Sequence, residues 1–271
     1  MSDELSVQGM LPYLSRDISD MIFIHESLES TNITAKELAE SGTEHGTVII
    51  ANHQTAGKGR FGRDFYSPPD HGLYMSIILC PARLGFSVPS LITAYAAVVV
   101  CEAIETVCGF SDKSPQIKWV NDIFLDGKKI CGILTESVKM LSDKDLQCVV
   151  LGIGVNFSTP TQGFPADLRQ SAGSLFEADT FLGQPSATRN RLAAEIINHI
   201  VLSANRYDRE QMLDKYRQRI FLLGRKVIIT EIDGCSFEGV AIDVDDIGRL
   251  VVKREDGELL SLFAGEVSVR F

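Results

Sequence analysis

The chain has 271 residues, 45% hydrophobic and 23% charged, the proportions of a folded globular protein rather than a disordered or fibrous one. Its 26 Lys and Arg stand against 36 Asp and Glu, and the net charge of −10 opposes contact with a phosphate backbone, which disfavours nucleic acid as a partner. The longest nearly unbroken apolar run, Leu91 to Cys101, falls short of the roughly 20 residues of a bilayer span, and Asp3 and Glu4 stand where a secretory leader carries basic residues; a cytoplasmic chain with no membrane partner is expected.

A prior of roughly 100–200 residues per domain gives one large domain or two unequal ones. The first twenty residues show no sustained periodicity and read as a peripheral arm or short helix. Ser30-Thr31-Asn32 then precedes an amphipathic stretch that stops at Gly42, the pattern of a capped helix. Thr47 to Ala51 reads as a buried strand, Asn52 to Gly72 as a Gly/Pro-rich loop, Leu73 to Leu79 as a strand and Val88 to Val107 as a buried helix. Gln116 to Trp119 and Ile123 to Leu125 are short strands, and Asp126-Gly127 is a hairpin turn into a strand from Lys129 to Glu136. Leu146 to Val155 gives a further strand, and helices are expected over Asn190 to Leu202 and Arg209 to about Leu222. From Arg225 to Phe271, short alternating strands separated by Asp233-Gly234, Ile247-Gly248 and Asp256-Gly257 read as a small barrel of about five strands. The expected division is an arm over 1–20, a large unit over 21–223 and a small one over 224–271.

Six cysteines (Cys80, Cys101, Cys108, Cys131, Cys148, Cys235) form no C-x-x-C pair and read as reduced, buried thiols. Five scattered histidines lack the spacing of metal ligands, so no transition-metal site is expected.

The segment Thr55-Ala56-Gly57-Lys58-Gly59-Arg60-Phe61-Gly62-Arg63 holds three glycines and three cations without an acid. Glycines free backbone N–H groups to approach an anion, and Lys58, Arg60 and Arg63 supply charge, so an anionic ligand such as a phosphate is implied; the competing reading is a solvated flexible loop. The order of glycines and lysine does not fit a P-loop. Gly152-Ile153-Gly154 begins like a dinucleotide fingerprint, but Phe157 occupies the third glycine position. Gly234 to Gly239 is one residue out of register for a nucleophile elbow.

Taken together, the cationic loop, Lys118-Trp119-Val120-Asn121-Asp122 with Lys129-Ile130-Cys131-Gly132-Ile133-Leu134, and Gly152-Ile153-Gly154-Val155-Asn156 resemble the biotin protein ligases, in order and at compatible spacing. The resemblance runs from Leu28 through the C-terminal barrel. It implies an α+β fold, with a mixed sheet and helices like those of class II aminoacyl-tRNA synthetases and a small SH3-like β-barrel at the C-terminus. It also implies a reaction: the biotin carboxylate attacks the α-phosphate of Mg-ATP, and a lysine of a biotin carboxyl carrier domain, of acetyl-CoA carboxylase or a related enzyme, takes the biotinyl group from biotinyl-5'-AMP. Biotin and ATP are then substrates, Mg2+ accompanies ATP, and the chain works as a monomer or homodimer without a DNA-binding domain.

Residue by residue, the resemblance assigns biotin to Ser30, Thr31, Asn32, Gln54, Lys58, Gly59, Arg60 and Lys129, and the nucleotide to Arg63, Lys118, Asn121 and Asn156. Lys129, Arg60 and Asp122 are the expected catalytic set, Asp122 as the acid that takes a proton from the carrier lysine. Competing readings stand beside these: helix capping for Ser30 to Asn32, a solvated hairpin lysine for Lys129 (a fate that suits Lys128 better), a turn residue for Asp122, a core aromatic for Trp119. Three positions depart from the family pattern, with Lys58 where many relatives have arginine, Val120 for a common proline, and Phe65 where some place tryptophan. The alternatives are a lipoate ligase, against which the polar set Ser30, Thr31, Asn32 and Gln54 argues, and a catalytically silent biotin sensor or repressor.

Overall fold

A seven-stranded mixed sheet forms the larger part of the protein in a computed structural model that describes residues 3–80, 89–139, 147–177, 187–202, 208–231, 234–263 and 265–269. The strands are β1 (Ile22–Leu28), β2 (Val48–Gln54), β3 (Gly72–Leu79), β4 (Gln116–Lys118), β5 (Asp122–Leu125), β6 (Lys128–Lys139) and β7 (Gln147–Asn156), in the order β1-β2-β3-β7-β6-β5-β4. Only β1 and β2 run parallel; every other neighbouring pair is antiparallel.

One face of the sheet carries helix α2 (Thr31–Glu40; α1 is Val7–Met10), whose Ala35 and Ala39 are fully buried against Ile49, Ile78, Val138, Cys148 and Val150. Two small side chains a helical turn apart let α2 lie close to the strands. The other face carries α3 (Pro89–Cys108), α4 (Arg189–Ile197) and α5 (Arg209–Arg219). By length and composition α3 could cross a bilayer, but it is buried inside the protein, packed against β5, β6, α4 and α5. Apolar residues all round a helix mark it as a core element when neighbours cover every side.

The remaining strands, β8 (Lys226–Thr230), β9 (Ser236–Val244), β10 (Leu250–Lys253), β11 (Leu259–Leu262) and β12 (Glu266–Val269), form an antiparallel sheet ordered β11-β10-β9-β8-β12, the SH3-like unit. The β9–β10 turn docks it onto the larger unit. Trp119 Nε1 donates to the Gly248 carbonyl at 3.0 Å, Ser90 Oγ to that of Ile247 at 2.7 Å, and Arg217 Nε to that of Val244 at 2.8 Å. Asp245 holds the turn from inside, accepting from the backbone N–H groups of Ile247 and Arg249.

Several expectations need correction. The N-terminal segment does form a short helix, but it is not peripheral: Met10 is fully buried, and Arg189, only 2% exposed, donates to Asp3 and also reaches Asn52 and Gly72. Strand β1 has no counterpart in the sequence reading. The helix expected over Asn190 to Leu202 turns π-helical at Asn198, and α5 stops at Arg219 because Ile220 and Phe221 leave it to pair with Ile117 of β4. Leu146 lies outside the described residues. The cysteines are all free thiols, yet Cys235 is exposed and Cys80 half-buried.

Candidate functional site

A cleft of about 200 Å³ opens above the middle of the seven-stranded sheet. The start of α2, the loop after β2, the β4–β5 turn, the start of β6, the glycines of β7 and the β12 end of the small unit all contribute to its wall. Of the residues expected to bind ligand, Ser30, Thr31, Asn32, Gln54, Lys58, Gly59, Arg60, Arg63, Lys118, Asn121, Asp122 and Lys129 line it. Asn156 does not; its Nδ2 donates to the Gly173 carbonyl at 2.9 Å.

At one end, the polar groups are bonded to each other. Ser30 occupies the N-cap position of α2 with extended backbone, yet its side chain makes no capping bond and is 1% exposed against the cleft. Helix capping alone therefore does not account for it. Thr31 N–H donates to Gln54 Oε1 at 2.9 Å, with Thr31 Oγ1 3.2 Å from the same oxygen. Gln54 Nε2 donates to Ser67 Oγ at 2.8 Å, and Ser67 in turn to the Phe65 carbonyl. Asn32 Nδ2 donates to Glu136 Oε2 at 2.9 Å, and Glu136 also pairs with Lys36. Behind them Ser76 Oγ lies 2.8 Å from Thr31 Oγ1 and 2.6 Å from Asn32 Oδ1. Ser67, Ser76 and Glu136 are additions to the sequence reading, and only the serine in the otherwise apolar Leu73–Leu79 run gave a signal.

Glycines make this packing feasible. A Cβ on Gly152 would lie 2.1 Å from Asn32 Oδ1, and one on Gly154 would meet the Phe65 ring at 2.6 Å. The Gly-Ile-Gly motif is therefore a flat patch of β7 that lets α2 and an aromatic ring approach, not a phosphate turn. Phe65 also meets Tyr74 edge to face, with centroids 6.4 Å apart.

The opposite end is cationic. The loop folds back as a hairpin, with Gly59 N–H donating to Arg63 O at 2.7 Å and Phe65 N–H to Gly57 O at 2.9 Å, which turns Lys58, Arg60 and Arg63 to the cleft. Its tip needs left-handed backbone at Phe61 (φ 58°) and Gly62 (φ 73°), and Phe61 stands exposed with the Arg60 guanidinium over its ring. Arg60 Nη1 donates to Asn121 Oδ1 at 3.0 Å, and Asn121 Nδ2 donates to the Ile133 carbonyl at 2.8 Å. Arg63 pairs with Glu266 of β12. Lys129 Nζ lies 2.7 Å from Asp122 Oδ1, whereas Lys128 is exposed. The Lys129 backbone is clamped on both sides, its N–H donating to Ser171 O and its carbonyl accepting from Gly173 N–H, both at 2.8 Å.

Burial lowers the pKa of Arg60 and of Lys118, with Asp122 partly offsetting it in each case and the cations Arg63 and, for Lys118, Lys129 adding to the fall. Five cations lining one half-buried cleft, Lys58, Arg60, Arg63, Lys118 and Lys129, favour an incoming anion. Trp119, 4% exposed, is buried as a core aromatic would be, yet it also lines the cleft and joins the two units through Gly248. Tyr216, fully buried on α5, holds the same turn from below by donating to the Val120 carbonyl at 2.8 Å.

Comparison with known proteins gives concordant matches. Residues 24–156 match the Biotin/lipoate A/B protein ligase family and residues 222–270 the Biotin protein ligase C terminal domain. The Bifunctional ligase/repressor BirA of Bacillus subtilis is 34% identical over 244 residues, which cover 87% of this chain and 70% of that one. The Biotin--[acetyl-CoA-carboxylase] ligase of Mycobacterium tuberculosis is 29% identical over 241 residues, 88% of this chain and 85% of that one. In fold, the biotin protein ligase of Aquifex aeolicus in complex with biotin and ATP superposes with a TM-score of 0.72 at 22% identity, covering 92% of this chain and 98% of that one.

Proposed function

The chain belongs to the biotin protein ligase family, and we propose that it joins biotin to a specific lysine of a biotin carboxyl carrier domain, at the expense of ATP, through enzyme-bound biotinyl-5'-AMP. The observation that carries this reading is the polarity of the cleft: a network of amides and hydroxyls at one end and five cations, Lys58, Arg60, Arg63, Lys118 and Lys129, at the other.

The network end suits the ureido ring, which both donates and accepts hydrogen bonds. The valerate chain then runs along the β7 glycines, and its carboxylate arrives beside Lys129. In the free protein Asp122 holds the Lys129 ammonium; the ligand carboxylate and the α-phosphate draw it away. A carboxylate oxygen attacks the α-phosphorus, the bond to the β-phosphate bridging oxygen breaks, and pyrophosphate leaves. Lys129, Arg60 and Lys58 offset the charge that builds where two anions meet, while Lys118 and Arg63 hold the phosphates that depart. ATP enters as its magnesium complex. Asn121 is our candidate base contact; Asn156, held by Gly173 outside the cleft, is not.

In the second step the carrier amine attacks the acyl carbon, AMP leaves, and the amine proton passes to Asp122, freed by the movement of Lys129. Arg60 and Phe61 close over the adenylate and keep water from the mixed anhydride. We assign residues 21–223 to these steps, residues 224–271 to the barrel that supplies the Glu266 side of the cleft, and residues 1–20 to an arm.

Biotin-dependent exchange of labelled pyrophosphate into ATP, followed by labelling of a purified carrier domain, tests the proposal. Exchange with lipoate and none with biotin would overturn it in favour of a lipoate ligase.

A further inference from the structure

Asn32 lines the cleft with a side chain whose two ends have opposite chemistry, a carbonyl oxygen that accepts and an amino group that donates. Which end lies over the β7 glycines decides what a ligand meets there. In the structure it is the oxygen: a Cβ on Gly152 would lie 2.1 Å from Oδ1 and 3.0 Å from Nδ2. Ser76 Oγ donates to Oδ1 at 2.6 Å, which leaves this oxygen a second lone pair for an N–H of a ligand.

Of the two polar neighbours that touch the amide, only one holds it this way round. Ser76 is indifferent. Its hydroxyl also reaches Thr31 Oγ1 at 2.8 Å, so with the amide turned over the Ser76 proton would go to Thr31 and its lone pairs would accept from Nδ2. Glu136 has no such freedom. It stands on β6 and does not line the cleft, and its carboxylate accepts from Asn32 Nδ2 at 2.9 Å through Oε2 and from Lys36 through Oε1. Asn32 and Lys36 are four residues apart in α2 and share one face, which brings both donors to the same carboxylate. Turning the amide over would set Oδ1 against Oε2, two acceptors with no proton between them.

We infer that Glu136 is a positioning residue for ligand recognition: it fixes the Asn32 amide with its oxygen over Gly152 and thereby presents an acceptor to a ureido N–H. The inference deepens the reading of the cleft as a biotin site and rests on it. It adds a residue that touches no ligand yet sets the direction of a recognition bond.

The test replaces Glu136 by glutamine, nearly the same in shape but with one accepting and one donating end. Lys36 claims the glutamine oxygen, the NH2 group faces Asn32, and the amide turns over. In pyrophosphate exchange by Glu136→Gln the KM for biotin should rise roughly tenfold or more, the scale of one hydrogen bond to a charged group, while kcat and the KM for ATP hold. Adding Lys36→Met frees the glutamine oxygen to accept from Asn32. The double variant Lys36→Met/Glu136→Gln should therefore recover most of the biotin KM of a Lys36→Met reference, a rescue that a side chain serving only to pack would not show. If Glu136→Gln does not fold, Glu136→Asp, which can still only accept, is compared with Glu136→Ala and should keep the biotin KM closer to that of the wild type. An unchanged KM in folded Glu136→Gln, no rescue by Lys36→Met, equal biotin KM values in the Asp and Ala variants, or a joint rise of the KM for biotin and for ATP overturns the role of Glu136 alone. Absence of biotin-dependent exchange in the wild type overturns the biotin reading and this inference with it.

Discussion

The two ends of the cleft are held by different kinds of force. At the α2 end, Thr31, Asn32, Gln54, Ser67 and Ser76 satisfy one another inside a sheet–helix interface, and most are buried. At the loop end, Arg60 donates to Asn121, Arg63 pairs with Glu266 and Lys129 pairs with Asp122, each through one polar partner. The first arrangement is a preorganised set of neutral donors and acceptors, the end that the proposal gives to the ureido ring. The second is a set of charges whose present partners a ligand can replace. In the proposed reaction recognition and catalysis are separated along one cleft, and substitutions at the two ends should fail in different ways.

The largest effect is expected at Lys129. Lys129→Ala should lower adenylation by on the order of 10²–10³, because an electrostatic contact made chiefly in the transition state is lost. Lys128→Ala, exposed on the neighbouring position, should be far milder, and parallel measurement of pyrophosphate exchange and thermal stability separates the two. Equal losses would remove Lys129 from the reaction.

Arg60→Gly should act on retention instead of formation. It removes the cation over Phe61 and the bond to Asn121, so biotinyl-AMP should leave about tenfold faster, the scale of one hydrogen bond to a charged group, and label lysines outside the carrier domain. Proteomic mapping of biotinylated lysines reads this directly; unchanged acceptor selectivity would show that the loop does not retain the adenylate.

A pH effect should follow from Lys118. Burial lowers its pKa below the usual 10.5. As pH rises, the free protein loses this cation earlier than an exposed lysine would, so the KM for ATP should climb on the alkaline side beginning below that value. Lys118→Arg should move the climb to higher pH, because a guanidinium stays charged.

Smaller still is the contribution of the joint between the two units. Trp119→Phe keeps the apolar packing but removes the bond to Gly248, and should lower stability by about 1 kcal/mol, seen as a modest fall in Tm. Glu266→Gln breaks a pair whose Arg63 side chain is 67% exposed; the effect on stability should be slight and should vanish at high salt.

How much of this was legible in the sequence follows the same division. The loop end is readable because its signal is local: three cations and three glycines in nine residues, and Lys129 two residues past the Asp126-Gly127 turn. The α2 end is readable only in part. Ser30, Thr31 and Asn32 stand together, but their partners Ser76 and Glu136 lie 44 and 104 residues from Asn32 in sequence, and nothing local ties them to it. Strand β1 escaped for another reason. It lies at the sheet edge with a half-exposed pattern, and His25, Glu26 and Ser27 dilute the apolar start Ile22-Phe23-Ile24. Buried Arg189 was equally silent, since an arginine enters a core only with partners such as Asp3 and Asn52, which the fold brings to it. The α3 helix and the barrel strands, whose patterns are long or regular, matched closely.

The central claim, that this cleft makes and holds a mixed anhydride, is tested most directly by native mass spectrometry of the chain after mixing with biotin and Mg-ATP in the absence of a carrier domain. The account predicts a complex carrying one biotinyl-AMP, formed by the wild type, greatly diminished in Lys129→Ala and lost more readily from Arg60→Gly. Binding of biotin and ATP as separate, unreacted ligands, or formation of an adenylate with lipoate and none with biotin, would contradict it.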